Sequence, residues 1–411
     1  MKPLEALRYG SALAALALGC ATRKTAPAPP PSETTAPSAV AAPSASLSAT
    51  APAASAAPPA TASAPPGCGM PASLAARGFP TELAPTSPDE PQPFVPGSTT
   101  LVVLPDTQYY ADCESPHFVN QTRWTREQAA SRNVKGVLTL GDLTDKNSPR
   151  EWRYIREGVR TVENEVPFVL VTGNHDVGDR GSANRRTSVL PEYFPQAPGR
   201  AREALASSAR PGDIENAYYR LALPRVTLGV LALEWSPRKA AVAWANEILG
   251  KYPRDRVIVL THAYLYEDGT RYDWWKKGGN QEWNPLAYGT GKKNPAETTT
   301  RENLHHEGAH DGEMLWSELV KRHAGIFLVV SGHVLGRGAA VLKSKGDGGN
   351  DVLQILANYQ MLKEGGLGYL RLLEILPDGK TLRMKTYSPS LRLFATGADQ
   401  NGDLALVPPL W

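Results

Sequence analysis

The sequence is poor in cysteine and in long apolar runs, and it has no block of basic residues. Only three cysteines occur among 411 residues, which excludes a scaffold held together by many disulfides. No run approaches the roughly 20 apolar residues that span a bilayer, so we expect no transmembrane anchor. The net charge is +3 with both signs interspersed, which argues against a nucleic-acid-binding surface.

The first 20 residues have the pattern of an export signal. Lys2 and Arg8 make the start basic, the apolar run 12–18 follows, and Gly19 precedes Cys20. This order resembles a bacterial lipobox, in which the cysteine is lipidated. We therefore expect residues 1–20 to be a signal peptide and Cys20 to anchor an exported lipoprotein to a membrane of a bacterial cell envelope. The alternative is cleavage without lipidation, which gives a secreted protein.

Residues 21–90 predict a disordered linker, and residues 91–411 predict one folded domain. The stretch up to Pro66 is almost entirely Ala, Pro, Ser and Thr, and Val40 and Leu47 are its only larger aliphatic residues. Such a composition cannot bury enough apolar surface to offset the loss of chain entropy. Cys68 and Cys113 can pair in an oxidising compartment, or they can remain free thiols.

The remaining residues alternate strand and helix signals, which predicts an α/β domain. Ser115 before Pro116 and Ser148 three residues before Glu151 are typical helix starts. Beyond Gly338 the signals are mainly of strands, from which we expect a second sheet packed on the first.

Five apolar runs end in a residue of a type that binds metals. The carboxyl ends of strands in open α/β sheets are where ligands bind, so these residues can converge on one site. Carboxylate, amide and imidazole ligands suit Mn, Fe or Zn ions. Two such ions about 3.5 to 4 Å apart hold a hydroxide for attack on phosphorus. The five residues are Asp106, Asp142, Asn174, His262 and His333.

In order, the motifs around these residues resemble those of the calcineurin-like metallophosphoesterases. They are Asp-Thr-Gln-Tyr-Tyr at 106–110, Gly-Asp-Leu-Thr-Asp at 141–145, Gly-Asn-His-Asp at 173–176, the later His262, and Gly332-His333. The first of them is similar to an exported branch of the family. The resemblance implies a four-layer α/β/β/α sandwich and metal-dependent hydrolysis of a phosphate mono- or diester outside the cytoplasm.

The resemblance also implies roles for single residues. Two divalent metal ions are implied, with Asp142 bridging them. His175 is implied as the catalytic residue near the leaving group, with Asp145 as its partner; the alternative is that Asp145 caps the following helix. The implied ligands are Asp106 and Gln108 for the first ion and Asn174, His262 and His333 for the second.

The sequence departs from the family pattern at Leu335, where a second histidine is usual. Because Gln108 also replaces a commoner histidine, we expect the first metal site to be weak or completed from elsewhere. The candidates are His305, His306 and His310, although histidines in a polar loop usually bind no metal. The same departure supports an alternative function, a degenerate phosphoesterase fold that acts as a surface binding module.

The aromatic segment after His262 is the candidate for substrate recognition. Its cations and rings can hold a phosphate and the organic part of a substrate; the alternative is that they pack this segment onto the domain. The residues that we expect to bind substrate are Arg271, Trp275, Lys276 and Lys277. The identity of the substrate does not follow from fold or metal ligands.

Overall fold

The structure, a computed structural model, describes Gly69, residues 71–288 and residues 308–411. The strands in this part of the chain are β1 (Thr86–Ser87), β2 (Thr99–Leu104), β3 (Val134–Thr139), β4 (Phe168–Val169), β5 (Leu205–Ser208), β6 (Ala217–Ala222), β7 (Thr227–Ala232), β8 (Arg256–Leu260), β9 (Ile326–Ser331), β10 (Ala339–Lys345), β11 (Asp351–Ala357), β12 (Leu370–Ile375), β13 (Thr381–Ser388), β14 (Leu393–Ala395) and β15 (Gly402–Ala405). The α-helices are α1 (Ala72–Ala75), α2 (Gln108–Cys113), α3 (Pro116–Gln128), α4 (Pro149–Arg160), α5 (Leu190–Tyr193), α6 (Arg200–Ala204), α7 (Lys239–Lys251), α8 (Trp274–Lys277) and α9 (Gly312–Glu318).

The strands form two sheets. The first sheet has the order β1-β14-β13-β12-β2-β3-β4, and β15 also pairs with β13. Its strands β2, β3 and β4 are parallel, whereas β12 is antiparallel to β2. The second sheet has the order β10-β11-β9-β8-β7-β6-β5, with β7, β8, β9 and β11 parallel. Each sheet thus has a group of neighbouring parallel strands, whose carboxyl ends lie on the same side of the sheet.

The two sheets and the helices stack in four layers. One apolar core joins strands of both sheets to α3 and α4, and another packs the second sheet against α7 and α9. Strand β8 shows how one strand serves both cores. Ile258 and Leu260 belong to the first core, and Val257 and Val259 belong to the second, because successive side chains of a strand point to opposite faces. The predicted α/β/β/α sandwich is confirmed.

The strands beyond Gly338 do not form a sheet of their own. Strands β10 and β11 extend the second sheet, whereas β12, β13, β14 and β15 belong to the first. The expectation of a separate second sheet from this region was wrong. Periodicity identifies a strand, but it does not show which sheet the strand joins.

The folded domain begins before residue 91. Strand β1 pairs with β14, and the backbone N–H of Lys363 donates to the carbonyl of Thr81 at 2.9 Å. Glu90 accepts a hydrogen bond from Lys385 Nζ at 2.6 Å. The predicted linker therefore extends too far, because short Pro-rich segments pack through single contacts that leave no periodic pattern. The predicted signal peptide, Cys20 and the linker up to residue 68 lie outside the described residues.

The two predicted helix starts are confirmed. Ser115 accepts a hydrogen bond from the backbone of His117, and Ser148 forms the predicted capping box with Glu151. Among the described helices, none combines the length and the apolar character that crossing a bilayer requires. Cys113 is in a disulfide whose partner lies outside the described residues.

Candidate metal centre

The ends of both sheets bring the predicted ligands together. Asp106 and Asp142 follow β2 and β3 of the first sheet, and Asn174 follows β4. His262 and His333 follow β8 and β9 of the second sheet. All five side chains are at least nine-tenths buried. The expectation that these strand ends meet at one place is thus met by the fold itself.

Four ligand atoms face each other in the middle of this group. The Nε2 atom of His262 lies 3.2 Å from Oδ2 of Asp142 and 3.2 Å from Oδ1 of Asn174. The Nδ1 atom of His333 lies 3.1 Å from Nε2 of His262. Carboxylate, amide oxygen and imidazole nitrogen atoms are the donors that borderline divalent ions prefer.

The other nitrogen of each imidazole ring is held by a backbone carbonyl. His262 Nδ1 lies 2.6 Å from the carbonyl oxygen of Leu140, and His333 Nε2 lies 2.7 Å from that of Trp283. Because a carbonyl only accepts, these contacts place a proton on the nitrogen that faces away from the centre. When both rings are neutral, the lone pairs of His262 Nε2 and His333 Nδ1 are therefore directed inward, as metal-binding histidines require.

The charges of this group favour a bound cation. Burial opposes a charge on His262, but Asp142 and Asp106 outweigh it and raise the pKa of His262 to about 9. Burial and the neighbouring His262 lower the pKa of His333 to about 3. Burial also opposes ionisation of Asp142, yet His262 and His175 keep its pKa below the usual value. The negative charges around His262 thus stabilise a positive charge at this place, even when the charge is only a bound proton.

Asp106 and Gln108 also contact residues of this group. Gln108 donates from Nε2 to Oδ2 of Asp142 at 3.3 Å, and its own Oε1 is buried without a hydrogen-bond partner. Asp106 accepts from the backbone N–H of His333 at 3.0 Å and from Nδ2 of Asn358 at 3.1 Å. A buried amide oxygen without a partner costs free energy unless something binds it, and a cation beside Asp142 would do so.

Leu335 stands where the family pattern has a second histidine, and it offers no metal ligand. Its side chain is buried and borders a small cavity with Leu83, Met361 and Leu362. His310 does not replace the missing donor, because its ring nitrogens contact the carbonyl of Pro237 and the carboxylate of Glu318. The rescue hypothesis was therefore wrong for His310. His305 and His306 lie outside the described residues.

The backbone around the ligands is under strain. Asp142 has φ 47° and His333 has φ 72°, conformations that residues other than glycine seldom adopt. A Cβ atom on Gly173 would lie 2.1 Å from Oδ1 of Asp142, and one on Gly332 would lie 2.2 Å from Oδ1 of Asp106. The glycines of the two motifs are thus needed because a carboxylate approaches their backbone.

His175 lies beside the ligands on the more open side. Its side chain is 32% exposed, and its backbone N–H donates to Oδ1 of Asp142 at 2.8 Å. Its Nδ1 lies 2.8 Å from the carbonyl oxygen and 3.4 Å from Oδ1 of Asp145. Burial alone would lower the pKa of His175, but Asp142 and Asp145 outweigh it and raise the pKa. The following helix is capped by Ser148, so Asp145 is not its cap.

Asp176 braces the loop that carries Asn174 and His175. Its carboxylate accepts from the backbone N–H groups of Leu143, Thr144 and Gly173 at 2.8 to 3.1 Å. The loops after β3 and β4 are thereby tied together, which fixes the relative positions of Asp142 and Asn174.

Comparison with known proteins fits this geometry. The family model of the calcineurin-like phosphoesterases matches residues 99–346. The chain belongs to the calcineurin-like phosphoesterase family. The uncharacterized protein YvnB of Bacillus subtilis (strain 168) is 27% identical over 299 residues, which cover 71% of this chain and 20% of YvnB. The chain therefore spans about a fifth of the length of this curated relative.

Solved structures with a similar chain course have low sequence identity to this phosphoesterase. GAP50, the anchor in the inner membrane complex of Plasmodium, is 10% identical, with 75% of this chain and 89% of GAP50 covered and a TM-score of 0.39. A conserved protein of Streptococcus pneumoniae TIGR4, described as a predicted phosphoesterase, is also 10% identical; 76% of this chain and 99% of that one are covered, with a TM-score of 0.28.

Aromatic residues of the phosphoesterase surround His333. The ring centroid of Trp235 lies 5.2 Å from that of His333, and those of Tyr272 and Tyr288 lie 6.0 Å from it. The segment after His262 thus lies against the centre, as expected. No motif marked Trp235 as a neighbour of the candidate ligands. Asn358 follows a strand run, as the candidate ligands do, and that position could indicate its contact with Asp106.

The side chains that were predicted to bind substrate have other contacts. Arg271 pairs with Glu313 at 2.7 Å and lies over the ring of Trp316, which indicates packing. Neighbouring helix and strand residues thus engage its guanidinium, and substrate binding by Arg271 stays a prediction. The other three residues stay candidates for substrate binding. Lys276 lies near Asp273 and Lys277 lies near Asp268, both within the same loop, and Trp275 is 38% exposed.

Proposed function

We propose that this phosphoesterase hydrolyses a phosphate mono- or diester with divalent metal ions bound among its buried ligands. The observation that carries the proposal is that His333 Nδ1, Asp142 Oδ2 and Asn174 Oδ1 all lie 3.1 to 3.2 Å from His262 Nε2. Donor atoms this close repel each other unless a proton or a metal ion lies between them. A divalent ion satisfies all four at once.

The residues fit two ion positions that share Asp142. Asn174, His262 and His333 would hold one ion together with Asp142, and Asp106 and Gln108 would hold the other. When bound, such ions supply a hydroxide nucleophile near neutral pH and neutralise charge on the phosphoryl oxygens. The two positions are unequal, because Leu335 provides no donor and Gln108 provides a neutral one. We therefore propose tight binding at the position of Asn174, His262 and His333 and weak binding at the position of Asp106 and Gln108. Mn, Fe and Zn all suit the donor set.

His175 has the position and charge of a group that assists the leaving oxygen. It is partly exposed beside the buried ligands, and Asp142 and Asp145 raise its pKa, which favours the protonated form relative to a free histidine. Asp145 fixes the ring through its backbone carbonyl and its carboxylate. In the proposed reaction, the ring donates a proton to the departing alcohol oxygen, and Asp145 orients the ring.

We also propose that the protein acts outside the cytoplasm, tethered by lipid on Cys20. The disulfide of Cys113 supports this, because disulfides persist mainly in oxidising compartments. The anchor is tested by expression in bacteria with a labelled fatty acid. Wild-type protein should incorporate the label and Cys20→Ser should not; label in neither protein would favour a secreted form.

Hydrolysis is tested on the purified protein with 4-nitrophenyl phosphate, its bis ester and Mn²⁺. Wild-type protein should release 4-nitrophenol, and Asp142→Ala should not. Asp347→Ala is the matched control, since Asp347 is an exposed carboxylate outside the ligand set. Equal activity of wild type and Asp142→Ala would refute the proposal.

A surface binding module is the second candidate function, and Leu335 is the observation that favours it. Metal analysis of the same samples separates the two. One or two tightly bound ions per chain support a hydrolase. No ion after reconstitution, with a folded protein, supports the binding module.

A further inference from the structure

We propose that three carboxylates beside helices α2 and α4 form a calcium-binding site that is separate from the metal centre. They are Asp112 near the end of α2, Asp145 in the loop after β3, and Glu151 in the first turn of α4. Each offers one oxygen atom, and these atoms all lie within 4.8 Å of one another. An ion fits between oxygens at this spacing, because calcium–oxygen distances are about 2.3 to 2.6 Å.

The carboxylate of Glu151 is fully buried and has one oxygen without a partner. Its Oε2 atom accepts from the backbone N–H groups of Lys146 and Ser148, both at 3.1 Å, and from Oγ of Ser148 at 2.7 Å. Its Oε1 atom has no hydrogen-bond partner in the described part of the chain. A buried carboxylate oxygen without a partner costs free energy, and a cation among the three carboxylates would satisfy it.

The other two carboxylates give an ion access from solvent. The side chains of Asp112 and Asp145 are both partly exposed. The ammonium group of Lys146 contacts Oδ1 of Asp112 and lies 3.1 Å from Oδ2 of Asp145, while half of its side chain is exposed. This contact shows that the position attracts a cation. Because a lysine side chain is flexible and carries a single charge, it can turn into solvent and leave the position to a divalent ion.

The charges around the three carboxylates also leave a place for a divalent cation. Four carboxylates lie together with two permanent cations, which leaves an excess of two negative charges. The carboxylates are those of Asp112, Glu114, Asp145 and Glu151, and the cations are Lys146 and Arg150. Arg150 is divided between Asp112 at 3.3 Å and Glu114 at 3.5 Å. His175, which also faces Asp145, carries a charge only when it is protonated.

The donor atoms favour calcium over the ions proposed for the metal centre. All three are carboxylate oxygens, whereas zinc prefers imidazole and thiolate ligands. Calcium accepts six to eight oxygen ligands in flexible geometry, so water molecules can complete its shell; magnesium usually binds through only one or two carboxylates. A partly exposed site with a competing lysine should have a Kd of about 10⁻⁴ to 10⁻³ M, the range of extracellular calcium modules.

A bound ion would connect elements that also build the metal centre. Asp112 lies one helical turn after Gln108 in α2. The Oδ1 atom of Asp145 lies 3.4 Å from Nδ1 of His175, whereas its Oδ2 atom faces Lys146. Asp145 can therefore contact His175 and the ion through different oxygens. Because the ion binds only when α2 and the start of α4 are folded together, calcium should raise the unfolding temperature.

Binding is measured by calorimetric titration of Ca²⁺ into the full-length protein in the presence of Mn²⁺. Wild type should bind one Ca²⁺ per chain. Asp112→Asn should weaken this binding by more than about tenfold, because calcium affinity follows the number of charged ligands. Lys146→Met should strengthen it severalfold, because the competing ammonium group is gone. Asp403→Asn is the matched control and should bind as wild type does, since Asp403 is an equally exposed aspartate paired with Arg383.

Thermal unfolding with and without Ca²⁺ gives a second measurement. Ca²⁺ should raise the unfolding temperature of wild type and of Lys146→Met, and it should not raise that of Asp112→Asn. A misfolded variant cannot bind more tightly than wild type, so Lys146→Met keeps the test valid if Asp112→Asn does not fold. No Ca²⁺ binding by wild type, or equal binding by wild type and a folded Asp112→Asn, would overturn the site and leave Lys146 as its occupant.

Two further titrations test the ion and the location. Mg²⁺ that binds as tightly as Ca²⁺ would overturn the choice of calcium. Asp142→Ala removes a ligand of the metal centre and should still bind Ca²⁺. Loss of Ca²⁺ binding in Asp142→Ala together with normal binding in Asp112→Asn would assign the ion to the metal centre and refute a separate site. Because neither titration measures hydrolysis, a failure of the proposed enzymatic function would leave this result unchanged.

Discussion

The ring of His262 stands 4.8 Å from the ring of His333, centroid to centroid, at an interplanar angle of 68°. His262 Nε2 and His333 Nδ1, which follow two strands of the second sheet, therefore face the same point. Because the rings are fixed by the carbonyls of Leu140 and Trp283, neither can turn away easily. This relationship makes the position between them the tighter of the two proposed ion sites.

Replacing His333 by alanine should lower the affinity of this position for Zn²⁺ or Mn²⁺ by more than tenfold. The reason is that a direct ligand is lost, whereas even the loss of a residue that only orients a ligand costs about 10- to 100-fold. Metal content after dialysis against a chelator series measures the effect. His323→Ala is the control, since the ring of His323 contacts Asn246 and His323 precedes β9, at the opposite end of that strand from His333. Equal metal retention by both variants would contradict the assignment of His333.

Leu335→His should strengthen the weaker ion position. The new imidazole would supply a donor near Asp106 and Gln108, where the family pattern has one. We expect metal content to rise from near one toward two ions per chain. Leu335→Met is the apolar control, because it keeps the volume of the side chain and adds only a weak ligand. If wild type already binds two ions with similar affinity, the proposed inequality of the sites is wrong.

His175→Gln should lower kcat by about 10²- to 10⁴-fold for alkyl phosphates, the usual contribution of a general acid. The loss should be much smaller for 4-nitrophenyl phosphate, whose leaving group needs no proton. Metal content should match that of wild type, because His175 contributes only its backbone N–H to Asp142. An equal loss for both leaving groups would indicate an electrostatic role instead of proton donation.

The ligand types were predictable from the sequence because Asp106, Asp142 and His262 each follow a buried apolar run. Strand direction then brings such residues to one edge. The tautomers of His262 and His333 were not predictable, since they depend on carbonyls from Leu140 and Trp283, distant in sequence.

Packing partners account for most of what the sequence did not reveal. Arg271 has the charge of a phosphate-binding residue, but its partner Glu313 becomes its neighbour only through the tertiary fold. The contacts of Thr81 and Glu90 were hidden for the same reason, so the start of the domain was placed too late.

The buried His117 should make stability depend on pH. Its ring contacts Ser390 at 2.8 Å and Glu364 at 2.9 Å and lies beside Tyr110. Burial lowers the pKa of His117 from 6.5, although Glu364 opposes the shift. Below pH 6.5 the unfolded chain therefore takes up a proton that the folded chain resists. The contribution of His117 to the free energy of unfolding is full above that pH and falls as the pH drops toward its lowered pKa.

Urea unfolding of wild type and His117→Gln checks this dependence. The stability advantage of wild type should be the same at pH 7.5 and 8.5 and smaller at pH 5.5. Glutamine can still hydrogen-bond to Ser390 and Glu364 but does not titrate. An advantage that grows as the pH falls would show that Glu364 stabilises a protonated His117, and would reverse the sign of the shift.

Glu90 should stabilise the domain although it precedes the predicted boundary. It accepts from Lys385, a fully buried residue, at 2.6 Å and pairs with Arg132 at 2.8 Å. Lys385 also contacts the buried Glu374 at 2.7 Å. Removing the charge of Glu90 therefore leaves Lys385 and Arg132 still paired with Glu374. Breaking a buried pair costs about 3 to 5 kcal/mol, and we expect Glu90→Gln to cost somewhat less, about 2 to 3 kcal/mol.

Glu82→Gln is the control, because it removes the exposed pair with Lys363 and should cost less than about 1 kcal/mol. Equal losses for the two variants in urea unfolding would mean that Glu90 lies on the surface in solution and that the folded domain begins after it.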